Sequence, residues 1–141
     1  MKQLNLFLDT NVVYDLLANR FPFYDSIAKV VTLKEKHQVN IVVSALTFVT
    51  IDYLLAKSTS ASIAKEKLQM FKTLCEISSL DEEIIQKSLN SNFKDFEDAV
   101  QYFSALRSGC DVLITRNAKD FKNVLVPILT PDEFLTSISI I

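Results

Sequence analysis

Short apolar runs, separated by longer amphipathic stretches, constrain the fold of this chain more than any other feature. The runs have the length of β-strands and occupy residues 4–8, 41–43, 75–78, 112–114 and 126–129. Between them, apolar residues recur at the spacing of one helix face. Strands that alternate with helices are joined by right-handed crossovers, which build one mainly parallel sheet with helices on both faces. The pattern therefore predicts an α/β fold.

Helices are predicted in the stretches between the strands. Apolar periodicity and capping residues place them over residues 11–18, 23–36, 46–57, 63–74, 80–89 and 96–107. A last helix begins at Thr130-Pro131-Asp132, because proline in a first turn is a start signal. With 141 residues, 49% of them hydrophobic, and only one glycine, the chain can build one core and offers no linker. We expect a single domain over residues 1–141.

The composition excludes several classes of protein. The apolar runs are too short to span a membrane and the N-terminus lacks a basic leader, so we expect a cytoplasmic protein with no membrane partner. Cys75 and Cys110 lie in apolar stretches without a CxxC pattern, which is typical of core residues. A single histidine, His37, excludes a histidine triad or a histidine-rich metal site. The net charge of −2 argues against a DNA-coating protein.

Acidic and polar side chains follow two of the predicted strands, and a third group opens a helix. Asp9 ends the first run, residues 95–99 open a helix, and residues 115–121 follow the run at 112–114. In an open parallel sheet, ligands bind at the carboxyl ends of the strands. Carboxylates gathered there repel each other unless a cation lies between them, and hard oxygen ligands suit Mg²⁺ or Mn²⁺. The sequence predicts a metal site, although capping of the following helix explains Asp9 alone equally well.

Basic residues are concentrated near the same acidic edge by chain position. They are Arg20, Arg107, Arg116, Lys119 and Lys122. Cations beside a metal site would hold phosphate groups. A second basic group, at residues 57–72, is typical of solvated helix faces.

Five stretches, in this order and spacing, resemble the PIN domain family of metal-dependent nucleases, and its VapC-like ribonucleases in particular. They are Leu8-Asp9-Thr10-Asn11-Val12, Arg20-Phe21-Pro22-Phe23-Tyr24, Val43-Ser44-Ala45-Leu46-Thr47, Asp95-Phe96-Glu97-Asp98-Ala99 and Thr115-Arg116-Asn117 with Asp120-Phe121. The resemblance implies a three-layer α/β/α sandwich with a mainly parallel sheet of four to five strands. It implies acids around one or two divalent ions. Many short bacterial members are ribonuclease toxins, which a partner antitoxin neutralises.

The resemblance assigns the candidate catalytic residues one by one. Asp9 matches the first family acid, and Asp98 matches the acid that opens the later helix. The fourth family position falls on Asn117, with Asp120 as the alternative. We therefore expect Asp9, Asp98 and Asn117 to hold Mg²⁺ or Mn²⁺.

The second family acid is missing from this chain. Thr50 occupies its position in the helix after Ser44. Asp52 cannot replace it, because two residues along a helix rotate the side chain by about 200°. We expect Thr50 to hold a metal-bound water through its hydroxyl, and metal affinity or activity to be weaker than with the full acidic set.

The neighbours of these acids have supporting roles. We expect Thr10 and Asn11 to brace Asp9, and Asp95 to cap the later helix. Glu97 is expected to project from a different side of that helix. The candidate contacts to substrate are Arg116, Lys119, Arg20 and Thr115.

The reaction that this set predicts is hydrolysis of phosphodiester bonds in single-stranded RNA, with the metal ion activating water and offsetting phosphate charge. Two alternatives stay open. The Asp9-Thr10-Asn11 stretch also resembles the nucleophile motif of haloacid-dehalogenase-like phosphatases, although that motif has a second Asp where Asn11 stands. A PIN domain without the acid at Thr50 could instead be a module that only binds RNA or protein.

An apolar surplus predicts self-association. The mean hydropathy is positive, and Phe48, Phe71, Ile138, Ile140 and Ile141 exceed what one small core readily hides. We expect a two-fold homodimer that unites two basic flanks. Docking of the C-terminal tail on its own core is the alternative.

Overall fold

In the computed structural model, which describes residues 3–122 and 124–139, strands and helices alternate as predicted. The strands are β1 (Leu4–Leu8), β2 (Val39–Ser44), β3 (Glu76–Ser78), β4 (Val112–Ile114) and β5 (Ile128–Leu129). The helices are α1 (Thr10–Leu17), α2 (Tyr24–Glu35), α3 (Ala45–Ser58), α4 (Ala61–Lys72), α5 (Glu82–Leu89), α6 (Phe96–Ser108) and α7 (Pro131–Ser139). None of these described helices is both long and apolar enough to cross a membrane.

The strands of the described chain form one sheet in the order β3-β2-β1-β4-β5, and every pairing is parallel. In the central strand β1, Leu8 pairs with Val43 of β2 and with Ile114 of β4. The residues that follow these strands, among them Asp9 and Thr115, therefore emerge side by side at one edge of the sheet. This edge is the one at which ligands bind in parallel sheets.

Side chains of β1 alternate between two apolar cores. Leu6 and Leu8 are buried in a core that α1, α2, α3, α4 and α7 complete. Phe7 is buried on the opposite face, with Tyr102 of α6 and Leu113 of β4. Helices thus cover both faces of the sheet, as a parallel sheet requires. The three-layer α/β/α sandwich predicted from the sequence is confirmed.

Several element boundaries differ from the sequence prediction by one or two residues, and two of the differences have a clear cause. β5 is confined to Ile128–Leu129, because the preceding Pro127 has no N–H to donate to a neighbouring strand. Val126 packs into the core instead. Helix α1 begins at Thr10, one residue early, since Asp9 already caps it.

The apolar surplus that predicted self-association is smaller than expected. Phe71 is buried, and the ring of Phe48 packs against it with centroids 5.9 Å apart. Ile138 also packs on the core, which agrees with the tail-docking alternative, whereas Ile140 and Ile141 lie outside the described residues. Large apolar side chains that are exposed on the described surface include Phe21, Val49, Tyr53, Met70, Leu89 and Leu125.

Helix α6 ends in a left-handed turn at Gly109, whose φ is 70°. The Gly109 N–H donates to the Leu106 carbonyl, and the chain then turns into β4. A Cβ on Gly109 would meet no atom within 4 Å. Only the backbone conformation therefore opposes a larger residue at this position.

Replacing Gly109 with alanine should lower the free energy of unfolding by about 1–2 kcal/mol, because the left-handed conformation is strained for a residue with a Cβ. Gly109→Asn should lose less, since asparagine visits this conformation more readily. Urea denaturation of the three proteins measures the difference. Equal unfolding midpoints for the wild type and Gly109→Ala would contradict the assignment.

Candidate active site

The carboxylate of Asp9 is buried at the point where the central strand β1 ends and α1 begins. Its side chain is 5% exposed. The Oδ1 atom accepts hydrogen bonds from the Thr10 backbone N–H at 2.8 Å and from Gln101 Nε2 at 3.1 Å. The Oδ2 atom accepts one from the Thr115 hydroxyl at 2.8 Å. Asp9 therefore caps α1 and, at the same time, joins β1 to α6 and to the end of β4.

A network of neutral polar side chains surrounds this carboxylate. The hydroxyls of Thr10 and Thr47 lie 2.8 Å apart. Gln101 Nε2 lies 3.2 Å from the Thr10 hydroxyl and 3.0 Å from the Thr47 hydroxyl. Gln101 and Thr47 are completely buried. They link α6 and α3 to the start of α1.

The sequence prediction missed both of these residues, although a signal for each was present. Gln101 follows Asp98 by three residues, which is one turn along the same face of α6. Thr47 follows the N-cap Ser44 by three residues, so it lies in the first turn of a helix that starts at the sheet edge. Helical spacing from an already chosen residue would have identified them.

Thr115 connects Asp9 to the loop after β4. Besides donating to Asp9, its hydroxyl lies 3.2 Å from Asn11 Nδ2 and accepts from the Asn117 N–H at 3.2 Å. Asn11 Oδ1 accepts from the Arg116 N–H, also at 3.2 Å. Thr10 thus contacts Asp9 directly, whereas Asn11 braces the loop that carries Arg116 and Asn117.

Asp98 lies in the first turn of α6, near enough to Asp9 for the charge of Asp9 to affect its pKa. Asp95 is the N-cap of this helix and accepts from the Asp98 backbone N–H at 3.0 Å. Burial, followed by the negative charges of Asp9, Asp95, Asp120 and Glu97, raises the pKa of Asp98 from its ordinary value to about 7. The structure therefore brings acids from β1, α6 and the turn after β4 to one edge.

The pKa values of two further acids, Asp9 and Glu97, reflect the same excess of negative charge. Burial raises the pKa of Asp9, although its three hydrogen bonds oppose the rise and Asp95 adds to it. Burial also raises the pKa of Glu97, with Asp9 and Asp95 as the next causes. Glu97, expected on a different side of α6 from Asp98, is exposed whereas Asp98 is half-buried. It still lies near enough to Asp9 and Thr10 for both to affect its pKa. An uncompensated cluster of this kind favours a proton or a cation.

Helix α3 contributes no carboxylate to this edge. Its buried residues are Thr47, Ile51 and Leu55, and Thr47 is the one that reaches the Asp9 network. Thr50 is half-buried and makes no side-chain hydrogen bond to the described residues. Asp52 is exposed.

The basic residues near the edge are held by an acid that the sequence prediction did not single out. Asp15 of α1 is 1% exposed. Its Oδ2 atom lies 2.7 Å from Arg116 Nε, and its Oδ1 atom lies 3.6 Å from Arg20 Nη1. Lys119 is exposed on the 3-10 turn Ala118–Asp120. Arg116 and Arg20 therefore form one group around Asp15.

Arg107, in contrast, was wrongly placed at the acidic edge. It lies in the last turn of α6, at the end opposite Asp98. Its guanidinium donates to Asp81 Oδ2 and to the Ser79 carbonyl, each at 2.8 Å. Proximity along the chain misled the prediction, because a helix separates Arg107 from the site by its whole length.

The donor atoms at the acidic edge fit a hard divalent cation. Asp9 Oδ2 accepts a single hydrogen bond and so retains a lone pair, and Asp98 supplies a second carboxylate. Within residues 3–122 and 124–139, no three His, Cys, Asp or Glu side chains are gathered closely enough to form a protein-only metal cage. Mg²⁺ usually takes only one or two carboxylates and fills its other positions with water and substrate phosphate. Two acids therefore suffice for Mg²⁺ or Mn²⁺.

A curated relative covers nearly the whole chain. The chain is 24% identical over 139 residues to the protein named ribonuclease VapC1 of Aquifex aeolicus strain VF5, and the match spans 95% of each sequence.

Solved structures share the fold at low sequence identity. A DNA-bound VapBC from Salmonella typhimurium is 17% identical, with a TM-score of 0.70 over 92% of this chain and 99% of that one. A toxin-antitoxin complex from Klebsiella pneumoniae is 22% identical, with a TM-score of 0.67 over 89% and 97%. The sequence model described as PIN domain matches residues 5–119, a range that includes Asp9 and Asp98. This chain therefore belongs to the PIN domain family.

Proposed function

We propose that this protein is a Mg²⁺- or Mn²⁺-dependent endoribonuclease that hydrolyses single-stranded RNA, and that it is the toxin of a toxin-antitoxin pair. The observation that carries the proposal is the meeting of Asp9 and Asp98 at the edge of a parallel sheet, with uncompensated negative charge around them. The name of the Aquifex relative, a ribonuclease, supports the reaction class. Membership in the PIN domain family favours a nuclease over the phosphatase alternative.

Asp9 Oδ2 and Asp98 would hold the metal ion, with Asn117 or Asp120 at the rim of the site. The ion would supply a Lewis acid that makes water a better nucleophile and offsets charge on the scissile phosphate. Thr115 and Gln101 fix the plane of the Asp9 carboxylate through the two hydrogen bonds described above. A fixed carboxylate avoids reorganisation when the substrate binds.

The basic residues would receive the RNA chain. Arg116 lies two residues after the end of β4 and next to Asn117 in the chain, so its guanidinium is suited to a phosphate beside the one that is cleaved. Lys119, exposed on the same loop, and Arg20 would bind further phosphates. Thr115 would lie close to the substrate, but its effect on the reaction would come through its hydrogen bond to Asp9.

An inactive PIN domain is the second candidate function, and the lack of a carboxylate from α3 at the acidic edge favours it. Thr47 and Thr50 leave the site with less negative charge than an acid at either position would give. Such a domain would bind RNA or protein without cleaving it. Metal-dependent cleavage distinguishes the two candidates.

The proposed partners are an antitoxin and a second copy of the chain. Several solved structures of the same fold are VapBC or toxin-antitoxin complexes. Val49 and Tyr53 on α3 and Met70 on α4 are exposed apolar side chains. Such a surface suits a protein interface.

Asp9→Asn should abolish Mn²⁺-dependent cleavage of single-stranded RNA, with a loss of at least about 100-fold, because the change removes the charge of a central metal ligand. Asp52→Asn, an exposed change on α3, is the matched control and should cleave at the wild-type rate. A fluorescent RNA of mixed sequence, incubated with Mn²⁺ or with EDTA, measures both. Equal residual cleavage by the wild type and Asp9→Asn would favour the inactive-domain alternative.

The metal-free protein should lose stability as the pH rises from about 5 to about 7. A carboxyl whose folded pKa exceeds its unfolded pKa binds more protons in the folded state, so folding weakens as those protons leave. Asp98→Asn should flatten this dependence and remove most of the stabilisation that Mn²⁺ gives the wild type.

Melting temperatures across this pH range, with EDTA or with Mn²⁺, measure both effects. The exposed Asp52→Asn is again the control. Asp111→Asn is unsuitable for this purpose, because Asp111 accepts a hydrogen bond from the Asn5 backbone N–H. An unchanged Mn²⁺ response in Asp98→Asn would remove Asp98 from the metal site.

The full chain should form a dimer in solution through the exposed apolar residues of α3 and α4. Multi-angle light scattering at micromolar concentration tests this expectation. Tyr53→Lys should shift the mass toward the monomer, because it places a charge in the apolar surface. A monomeric mass for the wild type would overturn the dimer without affecting the nuclease proposal.

A further inference from the structure

A cavity of about 360 Å³ lies beside the acidic edge. It is bounded by the segment before α2, the loop after β4 and the start of α7. The lining residues on which the argument depends are Asp15, Pro22, Phe23, Arg116, Pro131 and Asp132. Asn117 also lines it, and the Asn117 N–H donates to Thr115, the partner of Asp9. The cavity therefore adjoins the candidate metal site through a shared loop.

Arg116 is fixed at one end of this cavity. Its Nε atom pairs with the buried Asp15, and its guanidinium lies 4.3 Å from the centre of the Phe23 ring. Within the described residues, its two terminal amino groups donate no hydrogen bond. The side chain is 27% exposed. A planar cation, held from behind with its outer donors free, is suited to a phosphate.

Three lining residues give the cavity an apolar wall. They are Phe23, which is 39% exposed although Arg116 covers part of its ring, Pro22 and Pro131. The carboxylate of Asp132, which accepts a hydrogen bond from Ser26, is among the polar groups that line the rest. Because the negative charge of Asp132 repels phosphate, Arg116 is the lining residue that suits an anionic group.

We propose that this cavity is a subsite for one nucleotide of the RNA chain, with its phosphate on Arg116 and its base against Phe23. The volume matches a small-molecule pocket rather than a protein interface. A flat base with polar edges suits a cavity whose lining combines an aromatic ring with polar groups. The inference deepens the proposed nuclease function and rests on it for the identity of the ligand.

Nucleotide binding to the metal-free full-length protein tests the subsite without any cleavage. The probes are AMP and CMP, with inorganic phosphate and adenosine as fragments, titrated in EDTA and followed by NMR chemical shifts of the ¹⁵N-labelled protein. AMP or CMP should shift the signals of the 20–26 and 116–117 segments and bind more tightly than either fragment. The Asp52→Asn variant, changed at an exposed residue that does not line the cavity, should bind the nucleotides as the wild type does.

Two pairs of variants locate the ligand within the cavity. Phe23→Leu should weaken nucleotide binding about tenfold but leave phosphate binding unchanged, because only the base stacks on the ring. Phe21→Leu is the matched control, since Phe21 is 93% exposed and does not line the cavity. Arg116→Lys, which keeps a cation beside Asp15, should weaken binding of both probes about tenfold. Arg107→Lys, at the other end of α6, should change neither.

Three results would overturn the subsite. They are an absence of nucleotide shifts at millimolar concentration, shifts confined to residues outside the cavity, or equal losses in Phe23→Leu and Phe21→Leu. Any of these together with retained Mn²⁺-dependent cleavage would leave the nuclease function standing. Nucleotide binding without cleavage would instead support the subsite in an RNA-binding protein that has lost its activity.

Discussion

The site depends on how the charge of one buried carboxylate is compensated. A carboxylate removed from water is destabilised unless hydrogen-bond donors replace the water. For Asp9 these donors come from three separate parts of the chain: the start of α1, α6 and the end of β4. The same hydrogen bonds that keep Asp9 ionisable therefore hold the helices in register with the central strand. At this position the same contacts therefore determine both the stability of the fold and the orientation of the carboxylate.

Much of this arrangement could be predicted from the sequence, because the signals were local. The alternation of strands and helices gave the layers, and carboxylates at a strand end and in a first helical turn identified Asp9 and Asp98. Gln101 gave only the weaker signal of its spacing by one helical turn from Asp98, and Asp15 gave none. A glutamine inside a helix is usually solvated, and Asp15 reveals its role only through Arg116, which is distant in the chain. Such residues are identified by their contacts with distant parts of the chain, and these contacts form only when the helices pack on the sheet.

Charge in this structure is sorted into two neighbouring groups. The acids around Asp98 form a negative group that retains protons, whereas Asp15, Arg20 and Arg116 form a group with a net positive charge. Adjacent regions of opposite sign at one sheet edge create a strong local field although the protein has a net charge of only −2. A polyanion would be attracted to the basic group and repelled by bare acids. The neutral side chains of Thr47 and Gln101 keep that repulsion lower than further carboxylates would.

The strand order has a consequence for how the chain is made. β1 is synthesised first, yet it lies at the centre of the sheet and pairs on one side with β4. Thr115, the donor to Asp9 Oδ2, follows β4 directly. As the chain is made, one edge of β1 therefore stays unpaired until β4 follows, and contacts between such distant segments form slowly. The Thr115 hydroxyl cannot orient the carboxylate of Asp9 before β1 and β4 pair, so the polar network around Asp9 is completed late in folding.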